Sequence, residues 1–296
     1  MRFRTTIIIP SYYNNIIQIS ELTRVMFSGL FLLGGIEMVK NRSTRAAYNW
    51  RRTVSLEEIY AKEISECYKN STIYSQDTTF SNPVMAKVID LSTAIVIAEM
   101  DTVSALCKYH DEKTAVLNFA SYCNPGGGFL KGSKAQEESL CEESFLYNVL
   151  SKHEGFYSWN KHHRNKLLYL NRAIYTPDII FDHDQMRCHA DVITCAAPNK
   201  CAAKKNNDIS DDQNSKVLRN RISFILKIAQ EQKVNTLILG AFGCGVFGQD
   251  PEEVAQIFKD CLKEFPALLN KVIFAIPGGM NLKAFQKIFE LPVDHL

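Results

Sequence analysis

Residues Thr114–Glu138 read TAVLNFASYCNPGGGFLKGSKAQEE, and this stretch sets the fold class and the chemistry together. Thr114–Ala120 is a nearly continuous apolar run, the pattern of a strand buried on both faces of a sheet. Directly after it, Gly126, Gly127 and Gly128 permit backbone conformations and close approaches that a side chain forbids. After seven intervening residues come Gln136, Glu137 and Glu138. They fall in the first turn of a predicted helix over Ser133–Leu150, in which Ser133 and Gln136 have capping-box spacing. Three glycines alone read as a flexible turn, and two first-turn glutamates alone read as helix-dipole compensation. Their coincidence behind one buried strand reads as a ligand loop.

A second loop has a related layout. Leu239–Asp250 reads LGAFGCGVFGQD and lies between a predicted strand, Thr236–Ala241, and a predicted helix, Asp250–Phe265, with Asp250 at its cap and Pro251 at its first position. Loops of this kind expose backbone N–H groups that hold a phosphate or diphosphate. No GK[ST] follows, so it is not a Walker loop. The GxGxxG at Gly243–Gly248 has no acidic residue about 20 positions on in a strand, so it is not a dinucleotide fingerprint either. Val246 and Phe247 interrupt the glycines with bulk; Phe247 either covers a ribose or base or plugs the core. Cys244 is there for its size, or as a low-pKa thiol beside amide donors. Two glycine loops at strand ends frame the crevice in which open α/β sheets hold ligands. A diphosphate on one loop and a carboxylate pair on the other fit a nucleotide diphosphate sugar.

Outward from these loops, Arg42–Ile73 has helical spacing and reads as two or three short helices. Pro83–Val88, Ala94–Ala98, Leu167–Tyr175, Asp191–Ala197 and Lys271–Ile276 read as strands, and Asp101–His110, Lys216–Gln232 and Asn281–Phe289 as helices. The polar stretch Asn199–Asn214 reads as an exposed loop. Strands alternating with helices predict a three-layer α/β/α sandwich with a mixed sheet. Three segments are expected: an N-terminal extension over 1–40, a helical accessory region over 41–80, and the main domain over 81–296.

The composition, 46% hydrophobic and 22% charged, excludes a disordered chain. A net charge of +2 excludes a broad nucleic-acid surface and leaves room only for a local cluster such as Lys200, Lys204 and Lys205. Nine scattered cysteines point to free thiols in a reducing cytoplasm, or the nucleus of a eukaryote. Cys188, Cys195 and Cys201 with His183 and His189 lack metal-ligand spacing, so no metal is expected. Val25–Ile36 is apolar but shorter than the roughly 20 residues of a membrane span. It reads as a packed helix, as a signal-like core, or as upstream read-through ahead of a start at Met38.

The order GGG, seven residues, QEE resembles the signature of microbial-type poly(ADP-ribose) glycohydrolases, macrodomain enzymes with an added N-terminal helical region. GAFGCGVFGQDP (Gly240–Pro251) is similar to that family's diphosphate loop, and TCAAPN (Thr194–Asn199) to a third segment. The resemblance runs over roughly Arg42–Phe289 and leaves the first 40 residues outside it. It implies a macrodomain-like fold and hydrolysis of ribose–ribose bonds in poly(ADP-ribose), or release from ADP-ribosylated protein, with ADP-ribose as product, no cofactor and a monomeric enzyme. It also implies that Glu138 is the catalytic glutamate and that Glu137 holds the ribose hydroxyls beside the scissile bond. Gly126, Gly127 and Gly128 match the loop lining the reacting ribose, with Gln136 in the same signature. Gly243, Cys244, Gly245, Val246 and Phe247 match the loop around the diphosphate, and Asn118 and Asn124 are candidate ribose contacts.

Many glycosidases set two carboxyls across the bond, roughly 5 Å or 6.5–9.5 Å apart. Adjacent glutamates do not flank a bond in that way, so a single acid/base, Glu138, is expected to protonate the leaving oxygen and then activate water. The helix N-terminus favours ionised carboxylates, whereas burial, a like charge next door and a substrate diphosphate favour the protonated form. Two other readings of the same loops are removal of single ADP-ribose units from a side chain or base, and a non-catalytic ADP-ribose reader. A third is a different sugar-nucleotide enzyme.

Overall fold

The structure is a computed structural model and describes residues 41–81, 93–264 and 269–295. The N-terminal extension with Val25–Ile36 and the expected strand Pro83–Val88 lie outside the described residues. Among the described residues, no helix is long and apolar enough to cross a membrane.

Two helices open the described chain, α1 (Arg42–Ile59) and α2 (Ala61–Asn70), followed by strand β1 (Thr72–Ser75). Next come β2 (Ala94–Glu99), α3 (Thr102–Tyr109), β3 (Thr114–Phe119), α4 (Gln136–Glu142), α5 (Leu146–Ser151) and α6 (Glu154–His162). After a 3-10 turn at Asn165–Leu167, β4 (Arg172–His183) and β5 (Met186–Cys195) form a long hairpin. Then follow α7 (Lys200–Asn207), α8 (Asp211–Glu231), β6 (Thr236–Leu239), α9 (Pro251–Glu264), β7 (Lys271–Ala275), α10 (Gly279–Phe289) and β8 (Val293–His295).

The described strands form one mixed sheet in the order β1-β4-β5-β3-β6-β7-β2-β8. The pairs β1–β4 and β4–β5 are antiparallel, and the others are parallel. Successive side chains of a strand point to opposite faces. Leu117, Ile193, Leu237 and Phe274 therefore face one core under α8, α9 and α10, while Val116, Val192, Ile238 and Ile273 face a second core under α3 to α6. Every residue of Thr114–Asn118 is buried, as a central parallel strand requires.

Several elements depart from the sequence reading. Asn199–Asn214 is not a loop: it is mostly helical. Asn199 caps α7 by accepting from the Ala202 N–H at 3.0 Å, and Ser210 and Gln213 form a capping box at the start of α8. Only Ala203 of α7 is buried, so the helix carries no apolar period to betray it. The single helix expected over Ser133–Leu150 starts only at Gln136 and breaks at Glu143–Phe145, where Ser144 bridges to Phe181 and the Asp182 N–H donates to the Glu143 carbonyl at 2.8 Å. Ser133 is not its cap; the N-cap residue is Ala135, without a side-chain bond. The strand expected from Leu167 begins at Arg172, because Asn165, Lys166, Leu167 and Tyr169 all have positive φ. Ile73 falls in strand β1, not in a helix.

Candidate active site

Both glycine loops sit at the C-terminal ends of parallel strands, one after β3 and one after β6. Helix α1 braces the first. Asn49 Nδ2 donates to the Phe129 carbonyl at 2.8 Å, Arg45 Nη1 to the Gly132 carbonyl at 2.7 Å, and Arg42 Nε to the Lys131 carbonyl at 3.0 Å. No local signal in the sequence marks these three residues as part of the site.

The two glutamates converge although they are adjacent. Glu137 is 3% exposed and Glu138 7%. A Cβ built on Gly127, whose φ is +60°, would lie 2.7 Å from Glu138 Oε1 and 2.8 Å from Glu137 Oε2. Only glycine lets the loop pass between both carboxyls. Glu137 is held at both oxygens: Oε2 accepts from the Ser121 N–H at 2.7 Å and Oε1 from Asn118 Nδ2 at 3.4 Å. Glu138 Oε1 accepts from the Gly128 N–H at 2.7 Å, and its Oε2 bonds to none of the described residues. Asn118, fully buried, also donates to Thr194 Oγ1 at 3.3 Å, while its own Oδ1 is buried without a partner.

Burial pushes the Glu137 carboxyl up to about 8; the Glu138 charge adds to the rise, and the Ser121, Asn118 and Gly126 hydrogen bonds oppose it. A carboxyl raised in the folded state stabilises the fold fully below its unfolded value near 4.5, and that contribution is lost as pH rises through about 8. Glu137→Gln is therefore expected to flatten the decline in stability between pH 5 and pH 9, an effect of order a few kcal/mol. Urea unfolding at three pH values checks this; equal declines in both proteins would remove Glu137 as the cause.

Gln136 belongs to the strand rather than to an open surface. Its Oε1 accepts from the Phe119 N–H at 2.8 Å and its Nε2 donates to the Leu117 carbonyl at 2.8 Å. It thus ties the glutamate helix to the end of β3. Gln136→Ala is expected to cost about 1–3 kcal/mol in thermal or urea unfolding, because both backbone groups lose their partner. Asn124 is exposed; its carbonyl accepts from the Gly127 N–H at 3.1 Å, and its side chain bonds to none of the described residues.

In the second loop, the N–H groups of Gly245, Val246 and Phe247 donate to none of the described residues, and the space beside Gly245 is open. Successive free amides make an anion-binding concavity. Gln249, 3% exposed, anchors the loop by donating to the Pro198 carbonyl at 2.8 Å and pairing with Asn214. Phe247 is half-buried with its ring edge-on to Tyr169, 6.1 Å between centroids. Val246 is almost fully exposed. Cys244 is no activated thiol: burial, with Asp250 adding, pushes it up to about 12.

Between the glutamate helix and the ends of β7 and β2 lies a cavity of about 470 Å³, lined among others by Asp101, Phe119, Gln136, Ala241, Pro277 and Asn281. Its volume is that of a small-molecule site. Sequence reasoning missed Asp101, which lines the cavity, and Ser121, whose N–H holds Glu137, and it gave no individual role to Thr194, which meets Asn118 across the sheet.

Known proteins resemble this chain in sequence and in fold. The family model of the microbial-type PARG (poly(ADP-ribose) glycohydrolase) catalytic domain matches residues 39–184. The fold is similar to poly(ADP-ribose) glycohydrolase from Thermomonospora curvata, at 26% identity and a TM-score of 0.71, over 83% of this chain and 100% of that one. A structure of the Thermomonospora protein bound to the inhibitor ADP-HPD matches at 29% identity and a TM-score of 0.71, over 83% and 99%. The Deinococcus radiodurans glycohydrolase in complex with ADP-ribose matches at 27% identity and a TM-score of 0.68, over 77% and 98%. No curated protein matches the chain. Over residues 39–184 the chain is similar to the microbial-type PARG catalytic domain, and in fold it is similar to bacterial poly(ADP-ribose) glycohydrolases.

Proposed function

We propose that this chain hydrolyses the ribose–ribose O-glycosidic bonds of poly(ADP-ribose) and releases ADP-ribose. One observation carries the reading: the two buried carboxyls meet at Gly127, one tied at both oxygens and the other with Oε2 unbonded. The unbonded oxygen of Glu138 protonates the leaving ribose oxygen and then takes a proton from the attacking water. Glu137 and the unpartnered Oδ1 of Asn118 hold the hydroxyls of the reacting ribose. The free amides of Gly245, Val246 and Phe247 hold the diphosphate, and the cavity beyond Gln136 takes the remaining nucleoside. The related proteins from Thermomonospora and Deinococcus, bound to ADP-HPD and to ADP-ribose, support ADP-ribose as the ligand. All nine cysteines are free thiols, which supports a reducing compartment such as the cytoplasm.

The test is incubation with poly(ADP-ribosyl)ated protein and with singly ADP-ribosylated protein, with products identified by mass. Free ADP-ribose from the polymer alone is expected. Release from the singly modified protein alone would move the activity to the protein linkage. Binding of ADP-ribose without release from either would make the chain a reader.

A further inference from the structure

The run Lys161–Lys166, KHHRNK, leaves α6 on the surface, and all six residues are exposed. The cationic heads of Lys161, Arg164 and Lys166 have no carboxylate within ion-pair distance among the described residues. The lysines of neighbouring α7 behave differently: Lys200 pairs with Asp211 at 3.1 Å and Glu253 at 3.5 Å, and Lys204 with Asp211 at 2.8 Å. The α6 run is thus an uncompensated charge in a chain whose net charge is only +2.

Two more cations stand behind it, also without carboxylates. Arg172 lies over the rings of Phe156 and Trp159, at 4.9 Å and 4.0 Å, with its Nε buried and unpartnered. Arg221 is fully buried; its Nε donates to Asn171 Oδ1 at 2.7 Å, another nitrogen to the Ala196 carbonyl, and its remaining neighbour is the Cys195 thiol, with no carboxylate beside it. A buried guanidinium with no counter-ion is costly for the fold alone. Both guanidiniums are close enough for their charge to act on Tyr122. The Tyr122 hydroxyl donates to the His163 carbonyl at 3.1 Å, and its neighbour Ser121 holds Glu137 through its N–H. The Tyr122 side chain therefore links the charged flank to the backbone that holds Glu137.

Strand order places this flank relative to the cavity. The cavity opens at the ends of β6, β7 and β2, whereas the flank rises from β4, β5 and α6. The carboxyl pair at the end of β3 lies between them. A polymer whose terminal unit fills the cavity crosses the carboxyls and continues over the flank. Each further unit of that polymer carries a diphosphate.

We propose that Lys161, Arg164 and Lys166, backed by Arg172 and Arg221, form a cationic track for the phosphates of the polymer beyond the unit being released. The proposal rests on the glycohydrolase reading above. It makes the three exposed cations determinants of polymer length preference, with no part in the bond cleavage.

The test is the triple variant Lys161→Gln, Arg164→Gln, Lys166→Gln, assayed on long polymer and on two-unit oligomer at 50 and 200 mM salt, with ADP-ribose affinity measured beside it. The KM for long polymer is expected to rise about 5–10-fold at low salt, and its logarithmic salt slope to fall by about 2. The kcat and the ADP-ribose Kd stay within twofold, and the KM for the two-unit oligomer, which places a single diphosphate on the track, rises less than that for long polymer. An unchanged polymer KM and salt slope would overturn the track and leave a solvated surface. An equal loss for polymer, oligomer and ADP-ribose would also overturn it. Filter binding of intact polymer, by Glu138→Gln with and without the triple change, separates the two hypotheses: if no hydrolysis occurs at all, the glycohydrolase reading fails, and polymer binding still tests the track.

Discussion

Replacing Glu138 by Gln is expected to lower turnover on poly(ADP-ribose) about 10³-fold while ADP-ribose affinity stays within about threefold. The asymmetry follows from what each oxygen does. Oε1 accepts from the Gly128 N–H, and a glutamine carbonyl makes the same bond in the same place. Oε2 bonds to none of the described residues, and there glutamine puts an amide that neither delivers nor accepts the required proton. Loop and pocket thus persist while the acid/base is lost. Steady-state release of ADP-ribose and calorimetric binding of ADP-ribose check the two halves separately. A variant retaining a tenth or more of the wild-type rate would place the acid/base elsewhere; a parallel loss of affinity would make Glu138 a binding residue first.

Gly127→Ala is the second large effect, and it acts through space rather than chemistry. The added methyl would sit 2.7 Å and 2.8 Å from the two carboxylate oxygens, so at least one glutamate must move. At φ +60° the alanine also costs about 1–2 kcal/mol in the left-handed region. A loss of about 10²-fold or more in kcat is expected, with unchanged circular dichroism and a melting temperature lower by a few degrees. Gly155→Ala is the control: it lies within α6, nothing stands within 4 Å of its would-be Cβ, and alanine suits a helix better by about 0.5–1 kcal/mol. An active, well-folded Gly127→Ala would show that the carboxyl positions at this loop are not critical.

The strength of both predictions reflects how little of the site is redundant. One glycine separates the carboxyls, one amide holds each of them in register, and Gln136 ties their helix to the strand. The brace from α1 extends this constraint outward, since Asn49 and Arg45 hold the carbonyls that close the Gly126–Gly132 loop. The helical residues ahead of the sheet are thereby part of the site's rigidity.

Sequence by itself determined the buried strand Thr114–Phe119, the two glycine loops and the first-turn position of Glu137 and Glu138. Those are local properties. A continuous apolar run, a positive-φ glycine such as Gly126, Gly127 or Gly243, and a capping residue such as Asp250 each act through neighbours in the chain. The polar helix α7 escaped detection for the same reason, because its signal was two caps and not an apolar face. Only the tertiary structure decided that Asn118 meets Thr194, through the parallel register of β3 on β5, or that Gln136 turns to the backbone of β3. It also decided that Arg221 lies buried behind Tyr122 without a counter-ion. Which side chains face each other across a sheet depends on strand order and register, and these are set by the packing of the whole core rather than by any window of sequence.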